Sequence, residues 1–134
     1  MNNMKQFFAA LGVSVLFSTL LVFYSFAPKD VYPVVHINGK VTGDFNAKDF
    51  STIETLSIQD ENKDCNITSY LMYYIRPGKD AIEFKGNNAL FGGGIKSATQ
   101  TAKEGYKYIF AEIKLQCKGD EAPKEVNNLS FTIR

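Results

Sequence analysis

The chain has 134 residues, of which 45% are hydrophobic and 22% charged, and its formal net charge is +1. This length accommodates one ordinary globular domain together with a targeting or membrane segment. The near-neutral charge, with basic residues scattered along the sequence, argues against nucleic acid as a partner. The composition therefore points to a globular domain whose function must be sought in particular segments.

The amino-terminal region contains a long apolar run. Residues 7–27 carry no charge, and as a helix of about 1.5 Å rise per residue they are long enough to cross a bilayer core of about 30 Å. Lys5 precedes the run, which predicts that residues 1–6 stay in the cytoplasm and that the rest is exported. We therefore predict a single inner-membrane anchor over residues 7–27, followed by a periplasmic domain over residues 28–134.

A cleaved signal peptide is the alternative interpretation of the same run. The tripeptide Ser25-Phe26-Ala27 fits a cleavage site with small residues at its outer positions. Pro28 directly follows this site, and the apolar run is longer than the usual core of a signal peptide. Both features favour the uncleaved anchor.

The exported part reads as short strands separated by turn residues, which predicts an all-β domain with an Ig-like β-sandwich fold and one or two short helices. Asn38-Gly39 predicts a hairpin between "VYPVVHI" and "KVTG". Asn46, with Asp49 three residues later, predicts a capped helical turn.

Further elements are predicted towards the carboxyl end. Ile82 and Phe84 indicate a short strand, and residues 95–105 a short helix that ends at Gly105. The final stretch, "NNLSFTIR", predicts a strand whose apolar residues alternate towards the core.

Two long strands are predicted in "CNITSYLMYYI" and "YKYIFAEIKLQC". Their odd-numbered positions are mostly apolar, so we expect the odd positions to face the core. These positions are Cys65, Ile67, Ser69, Leu71, Tyr73 and Ile75 in the first strand, and Ile109, Ala111, Ile113, Leu115 and Cys117 in the second.

The two cysteines occupy matching ends of these strands. Cys65 begins one strand and Cys117 ends the other, so in antiparallel neighbours or in facing sheets the two sulfurs lie level. In an oxidising compartment this placement predicts a disulfide. Two buried free thiols, or a reactive or metal-binding thiol, are the alternatives.

No motif in the sequence indicates catalysis. "GGGIKS" resembles a phosphate-binding loop, but Ile95 stands where that motif requires a glycine before the lysine. His36 is the only histidine and has no cysteine near it in sequence, which argues against a zinc site. We therefore expect no catalytic residue, no metal and no cofactor, and an enzyme is the less favoured class of function.

Four stretches together resemble the carboxy-terminal domain of the gliding-motility protein GldM. They are "INGKVTG", "DFNAKDF", "DCNITSYLMYYIRPG" and "AKEGYKYIFAEIKLQCKGDEAPKEVNNLSFTIR", and the resemblance extends over residues 33–134. It implies a periplasmic β-rich domain of the type IX secretion and gliding apparatus of Bacteroidetes, with a mechanical, protein-binding role. GldM is longer, however, and the uncharged anchor predicted here does not indicate proton-driven motor work.

The combined expectation is a membrane-anchored, non-catalytic periplasmic module that binds other envelope proteins, including secretion or gliding components. A cleaved, soluble periplasmic or secreted ligand-binding protein is the alternative. An exposed strand edge is one candidate contact surface, and the sequence offers two others. They are the even face of the first long strand, Tyr70, Met72 and Tyr74, and the glycine loop, Gly92, Gly93, Gly94 and Lys96. The aromatic stripe has the alternative of being a second packing face.

Overall fold

Eight strands and two short helices form in the part of the chain that the computed structural model describes, residues 32–59 and 64–134. The predicted anchor, residues 7–27, and residues 1–6 lie outside the described residues. Within the described ranges, no helix has both the length and the apolar character needed to cross a membrane. In chain order the elements are β1 (Val35–His36), β2 (Thr42–Phe45), α1 (Ala47–Ser51), β3 (Ser57–Ile58), β4 (Cys65–Ile75), β5 (Ile82–Gly86), α2 (Gly93–Gln100), β6 (Lys107–Cys117), β7 (Lys124–Glu125) and β8 (Leu129–Ile133).

The main sheet has six strands and is built around β6. Strand β4 pairs antiparallel with one edge of β6, while β8 and the short β7 pair with its other edge. Strand β5 lies outside β4, and β2 lies outside β8, to which it runs parallel. The parallel pair joins the first part of the domain to its last strand.

The second layer consists of a two-stranded ribbon and the two helices. Strand β1 pairs antiparallel with β3, and residues of this ribbon and of both helices share one hydrophobic core with the main sheet. The all-β class with two short helices is therefore confirmed. In place of the two matched sheets of an Ig-like sandwich, however, the second sheet has only two strands, because α1 and α2 cover much of the inner face.

The predicted hairpin at Asn38-Gly39 forms but is very short. Both residues have positive φ, 49° and 79°, as a type I′ turn requires. Ile37 and Lys40 exchange two backbone hydrogen bonds of 3.0 and 2.9 Å across the turn. Beyond that bridge the chain segments diverge, because β1 pairs with β3 and β2 pairs with β8.

Helix α1 forms as the capping pattern predicts. The Asn46 side chain accepts a hydrogen bond from the Asp49 backbone N–H at 2.7 Å, which satisfies an amide that would otherwise lack a partner. The cap positions Phe50, which is fully buried and lies with its ring centroid 4.5 Å from that of Tyr108. Burying an aromatic side chain of this size stabilises the fold by about 2 kcal/mol.

Helix α2 begins earlier and ends earlier than the sequence predicts, at Gly93 and Gln100 instead of residues 95 and 105. Gly94, in the first turn, lies directly against the Phe84 ring, and a Cβ at this position would overlap the ring. The Tyr108 hydroxyl donates a buried hydrogen bond of 2.7 Å to the Ala98 carbonyl. These contacts fix α2 on the inner face over β5 and β6.

Paired β-bulges decide which residues of β4 and β6 reach the core. Thr68 is an extra residue in β4, and β6 has its own extra residue where Glu112, at φ 51°, lies across from β4. Each extra residue reverses the alternation, so beyond the bulges the core is reached by Tyr70 on β4 and by Phe110 on β6. The expectation of odd positions facing inward is therefore correct at the cysteine ends and wrong over the rest of both strands.

The disulfide joins these strands at their cysteine ends. Cys65 and Cys117 are directly opposed in the β4–β6 register and are bonded to each other. The bond links residues 52 apart in sequence, so it restricts a long loop of the unfolded chain.

The first prediction concerns this crosslink. Replacing both cysteines, C65S/C117S, should lower the free energy of unfolding by about 4 kcal/mol, because the unfolded chain regains the entropy of the open loop. Urea unfolding followed by tyrosine fluorescence measures the difference, and reduction of the wild-type protein should reproduce it. A loss below about 1 kcal/mol in both cases would contradict the entropic account.

Two buried tyrosines differ in how their hydroxyl groups are satisfied. The Tyr108 hydroxyl donates to Ala98, as described above, whereas the Tyr70 hydroxyl has no hydrogen-bond partner among the described residues. The Tyr70 ring lies over Gly86 of β5, in the space that a side chain at that position would occupy. Burial raises the pKa of Tyr70 to about 12 and also raises the pKa of Tyr108.

The second prediction is that two matched substitutions, Y108F and Y70F, change the free energy of unfolding differently. Y108F should lower the free energy of unfolding by about 1 kcal/mol, because the Ala98 carbonyl loses its donor. Y70F should leave it unchanged or raise it by up to about 1 kcal/mol, because an unsatisfied buried hydroxyl is removed. Chemical denaturation at neutral pH measures both values.

Alkaline pH provides a second measurement on the same variants. The folded-state pKa of Tyr70 is raised above its ordinary value of 10.0, so its contribution to stability is present below pH 10 and is lost as the pH rises towards about 12. The wild-type protein should therefore lose stability over this range, and Y70F should lose less. Equal alkaline losses in the two proteins would contradict the assignment.

Candidate protein-binding surface

The predicted aromatic surface of β4 is part of the core. Tyr70, Met72 and Tyr74 are 1%, 0% and 9% exposed, so none of them presents a surface to a partner. The prediction that these residues form an exposed surface is wrong, because the bulge at Thr68 turns the even positions of β4 inward from Tyr70 onward. These three residues instead form a packing face of the core, which is the alternative interpretation of the aromatic stripe.

The predicted glycine loop is exposed but does not join the β4 residues in one surface. Gly92, Gly93, Gly94 and Lys96 are all exposed at the start of α2. Gly93 has a φ of 52°, which favours glycine, and Gly94 makes room for Phe84. Two of the three glycines are therefore accounted for by backbone geometry and packing. Nearby Leu90 is 65% exposed and is the apolar residue of this loop most accessible to a partner.

The structure brings a different set of apolar residues together, on the outer face of the sheet. Directly opposed residues of antiparallel strands share a face. The pairs that alternate with the buried residues therefore lie on the opposite side from the helices. Their apolar members are Leu71, Tyr73 and Ile75 of β4 and Ile109 and Ala111 of β6.

These five residues form a stripe along the middle of the sheet, and all five are half-buried. Tyr73 is directly opposed to Ile109, and Leu71 to Ala111, so the side chains of neighbouring strands contact each other across the stripe. We refer to Leu71, Tyr73, Ile75, Ile109 and Ala111 as the outer stripe. No helix or ribbon of the described residues contributes to this face in the way that α1 and α2 cover the inner one.

Polar and charged residues border one end of the outer stripe. A concave region of about 570 Å³ lies beside the bulges, over β4 and flanked by β5 and β6. Each flanking strand contributes one acidic and one basic side chain: Glu83 and Lys85 on β5, Glu112 and Lys114 on β6. An apolar centre with a charged border is the usual anatomy of a protein–protein contact surface.

The sequence contained a signal for this surface that the strict alternation obscured. Both Tyr73 and Tyr74, and both Ile109 and Phe110, are apolar or aromatic neighbours, so each strand is apolar on both faces in its middle section. Such a run indicates a strand that can be covered on two sides. Only the bulges determine which member of each pair belongs to the core.

His36 and Asp120 make hydrogen bonds that support turns of the chain. Nδ1 of His36 accepts a hydrogen bond of 2.9 Å from the Gly39 backbone N–H and so supports the hairpin turn. Asp120 accepts from the Tyr32 hydroxyl at 2.9 Å and from the Cys117 backbone N–H at 3.2 Å, which anchors the turn after β6. Within residues 32–59 and 64–134, no three His, Cys, Asp or Glu side chains are grouped so that they could hold a metal ion.

These features define a disulfide-linked β-sheet domain with one face packed under helices and a half-exposed apolar stripe on the other. Residues 33–134 match the family model of the GldM C-terminal domain. Because this match covers most of the 134 residues, the chain belongs to the GldM C-terminal domain family. Membership associates it with the gliding and type IX secretion machinery. No curated protein matches the chain.

The third prediction separates the two faces of β4 at neighbouring positions. M72T should lower the free energy of unfolding by about 3 kcal/mol, because Met72 is fully buried and the new hydroxyl lacks water. Y73T should cost about 1 kcal/mol or less, because it removes only a cross-strand contact on the outer face. Urea denaturation measures the loss of unfolding free energy in each variant. Equal losses in Y73T and M72T would contradict the assignment of these residues to opposite faces of β4.

Proposed function

We propose that this chain is a non-catalytic, membrane-anchored periplasmic module that binds another protein of the gliding or type IX secretion machinery. The match of residues 33–134 to the GldM C-terminal domain family is the observation that carries the proposal, because it connects this domain with that machinery. The family supports the envelope setting. The particular partner has to be sought through the surface that the domain presents.

The outer stripe is the part of the described surface best suited to a protein partner. Its five residues are apolar, contiguous and half-buried, and contiguous apolar surface that stays accessible to solvent marks interaction sites in soluble domains. Tyr73 lies at its centre, and tyrosine is enriched among residues that dominate binding energy. The mixed charges of the border would orient the partner more than they would strengthen its binding.

Anchoring fits the same proposal. Residues 7–27 are uncharged and long enough for a single span, which would place the domain in the periplasm next to other inner-membrane proteins of the machinery. A tether of this kind raises the effective concentration of the domain near neighbouring membrane proteins, so that even a modest contact surface can serve.

The fourth prediction tests the partner and the surface together. Full-length protein is crosslinked in its native cells, purified from the membrane fraction in detergent, and its associated proteins are identified by mass spectrometry. Gliding or type IX secretion components should be recovered with the wild-type protein. Y73E should reduce their recovery about tenfold, because a charge at the centre of the apolar stripe is desolvated on binding.

Two comparisons make the result specific. L90S alters the exposed leucine of the glycine loop and should leave recovery unchanged; loss of partners in L90S but not in Y73E would transfer the contact to that loop. Recovery of unrelated proteins only, from wild type and variants alike, would contradict the association with the machinery. Appearance of the mature chain in the soluble fraction, with an amino terminus near Pro28, would contradict the anchor.

A further inference from the structure

No described strand pairs with the β5 edge of the main sheet. Strand β5 is the last strand in the order β2-β8-β6-β4-β5, so among the described strands its outer edge has no neighbour. None of its residues has a positive φ, and it contains no proline. Its outward backbone N–H and C=O groups therefore form a regular row that can pair with a further strand.

The opposite edge of the sheet is protected in ways that β5 is not. Strand β2 contains Gly43 at φ 127°, which departs from regular strand geometry. The Lys40 side chain also donates a hydrogen bond of 3.1 Å to the Asp44 carbonyl, a backbone group of that strand. Irregular backbone and lysine side chains are devices by which proteins prevent strand addition at sheet edges.

The two faces of β5 have different chemistry. Glu83 is opposed to Tyr73 and Lys85 to Leu71, so both charges lie on the outer face. Ile82, Phe84 and Gly86 are opposed to the buried residues of β4 and lie on the inner face. Along the strand, Glu83 precedes Phe84 and Lys85 follows it, so an acid and a base flank Phe84 in sequence.

We propose that two copies of this chain associate by antiparallel pairing of their β5 edges about a twofold axis centred on Phe84. Opposed residues of antiparallel strands share a face, so a twofold pair can bring only residues of the same face opposite each other. The register centred on Phe84 places Glu83 opposite Lys85 of the second copy, and this contact occurs twice. Because the strand carries both complementary charges, its pairing partner is best provided by β5 of a second copy.

The same charges disfavour the neighbouring registers. Centring the axis on Glu83 sets that carboxylate against its own copy, and centring it on Lys85 sets two ammonium groups together. Like charges directly opposite each other destabilise a strand pair, whereas opposite charges stabilise it. The pattern therefore specifies a single register as well as the identity of the partner.

The inner face is compatible with this register. Ile82, which is 38% exposed, lies opposite Gly86 of the second copy, so its side chain would meet the Tyr70 ring that covers that glycine. Phe84 lies opposite Phe84 of the second copy, so two half-buried rings meet at the axis. Pairing would therefore cover apolar surface that the single copy leaves partly exposed.

The association joins two six-stranded sheets into one continuous sheet and leaves both outer stripes accessible. It is independent of the proposed function, because the outer stripe and the β5 edge are different surfaces. A pair of strands of five residues buries less area than a permanent dimer usually does. We therefore expect a concentration-dependent dimer that dissociates as the salt concentration rises.

The test uses the full-length protein in detergent, with sedimentation velocity measured over a range of protein concentrations. Wild type should dimerise, and E83K and K85E should each dimerise at least about tenfold more weakly, because each sets like charges against each other twice. The exchanged variant, E83K/K85E, restores opposite charges in the same register and should dimerise like wild type. A mixture of E83K and K85E should form the mixed dimer.

A matched control distinguishes this contact from any other route to a dimer. E104K makes the same charge change on an exposed turn residue outside β5 and should leave the dissociation constant unchanged. A wild-type protein that remains monomeric at all concentrations would overturn the proposal. So would a dimer whose dissociation constant is the same in wild type, E83K and K85E, because that dimer would form through another surface.

Discussion

The paired bulges of β4 and β6 are the constraint on which the rest of this structure depends. Each bulge alone would shift the register between the two longest strands by one residue, and a shift of one exchanges the two faces of a sheet. Because β4 has its extra residue at Thr68 and β6 has its own near Glu112, the shifts cancel. Cys65 therefore still meets Cys117 at one end of the pair, while Ile75 meets Lys107 at the other.

This compensation also explains how one face can be apolar from end to end. Ile67, Tyr70, Met72 and Tyr74 all reach the core, although their numbers change parity between the first two. Strand β6 makes the same change between Phe110 and Ile113. The inner face receives a continuous set of large side chains against which α1, α2 and the β1–β3 ribbon pack. The half-buried residues that alternate with them are left for the outer stripe.

Local signals in the sequence predicted most elements but not the faces of the long strands. Asn46 predicted the helix cap, Asn38-Gly39 the turn, and the bounds of β4 agree with the predicted segment. These features depend on neighbouring residues only. A bulge changes nothing in composition and places one charged residue, Glu112, inside an otherwise regular pattern, so alternation counted by residue number fails beyond it. The parallel pairing of β2 with β8 was equally hidden, because it joins residues such as Phe45 and Ile133 that are remote in sequence.

The candidate surfaces follow from the same division of the sheet. Residues turned outward by the bulges form an apolar stripe that no described helix covers, and the strand beyond β4 exposes an edge with balanced charges. A sheet can use its face and its edge at the same time, because face contacts involve side chains and edge contacts involve mainly the backbone. If β5 edges pair, two outer stripes lie on the same side of one continuous sheet, since a twofold axis perpendicular to the sheet keeps equivalent faces together. A partner with two equivalent binding regions would then contact both copies, and its binding would be strengthened by the proximity of the second stripe without any new contact within either domain.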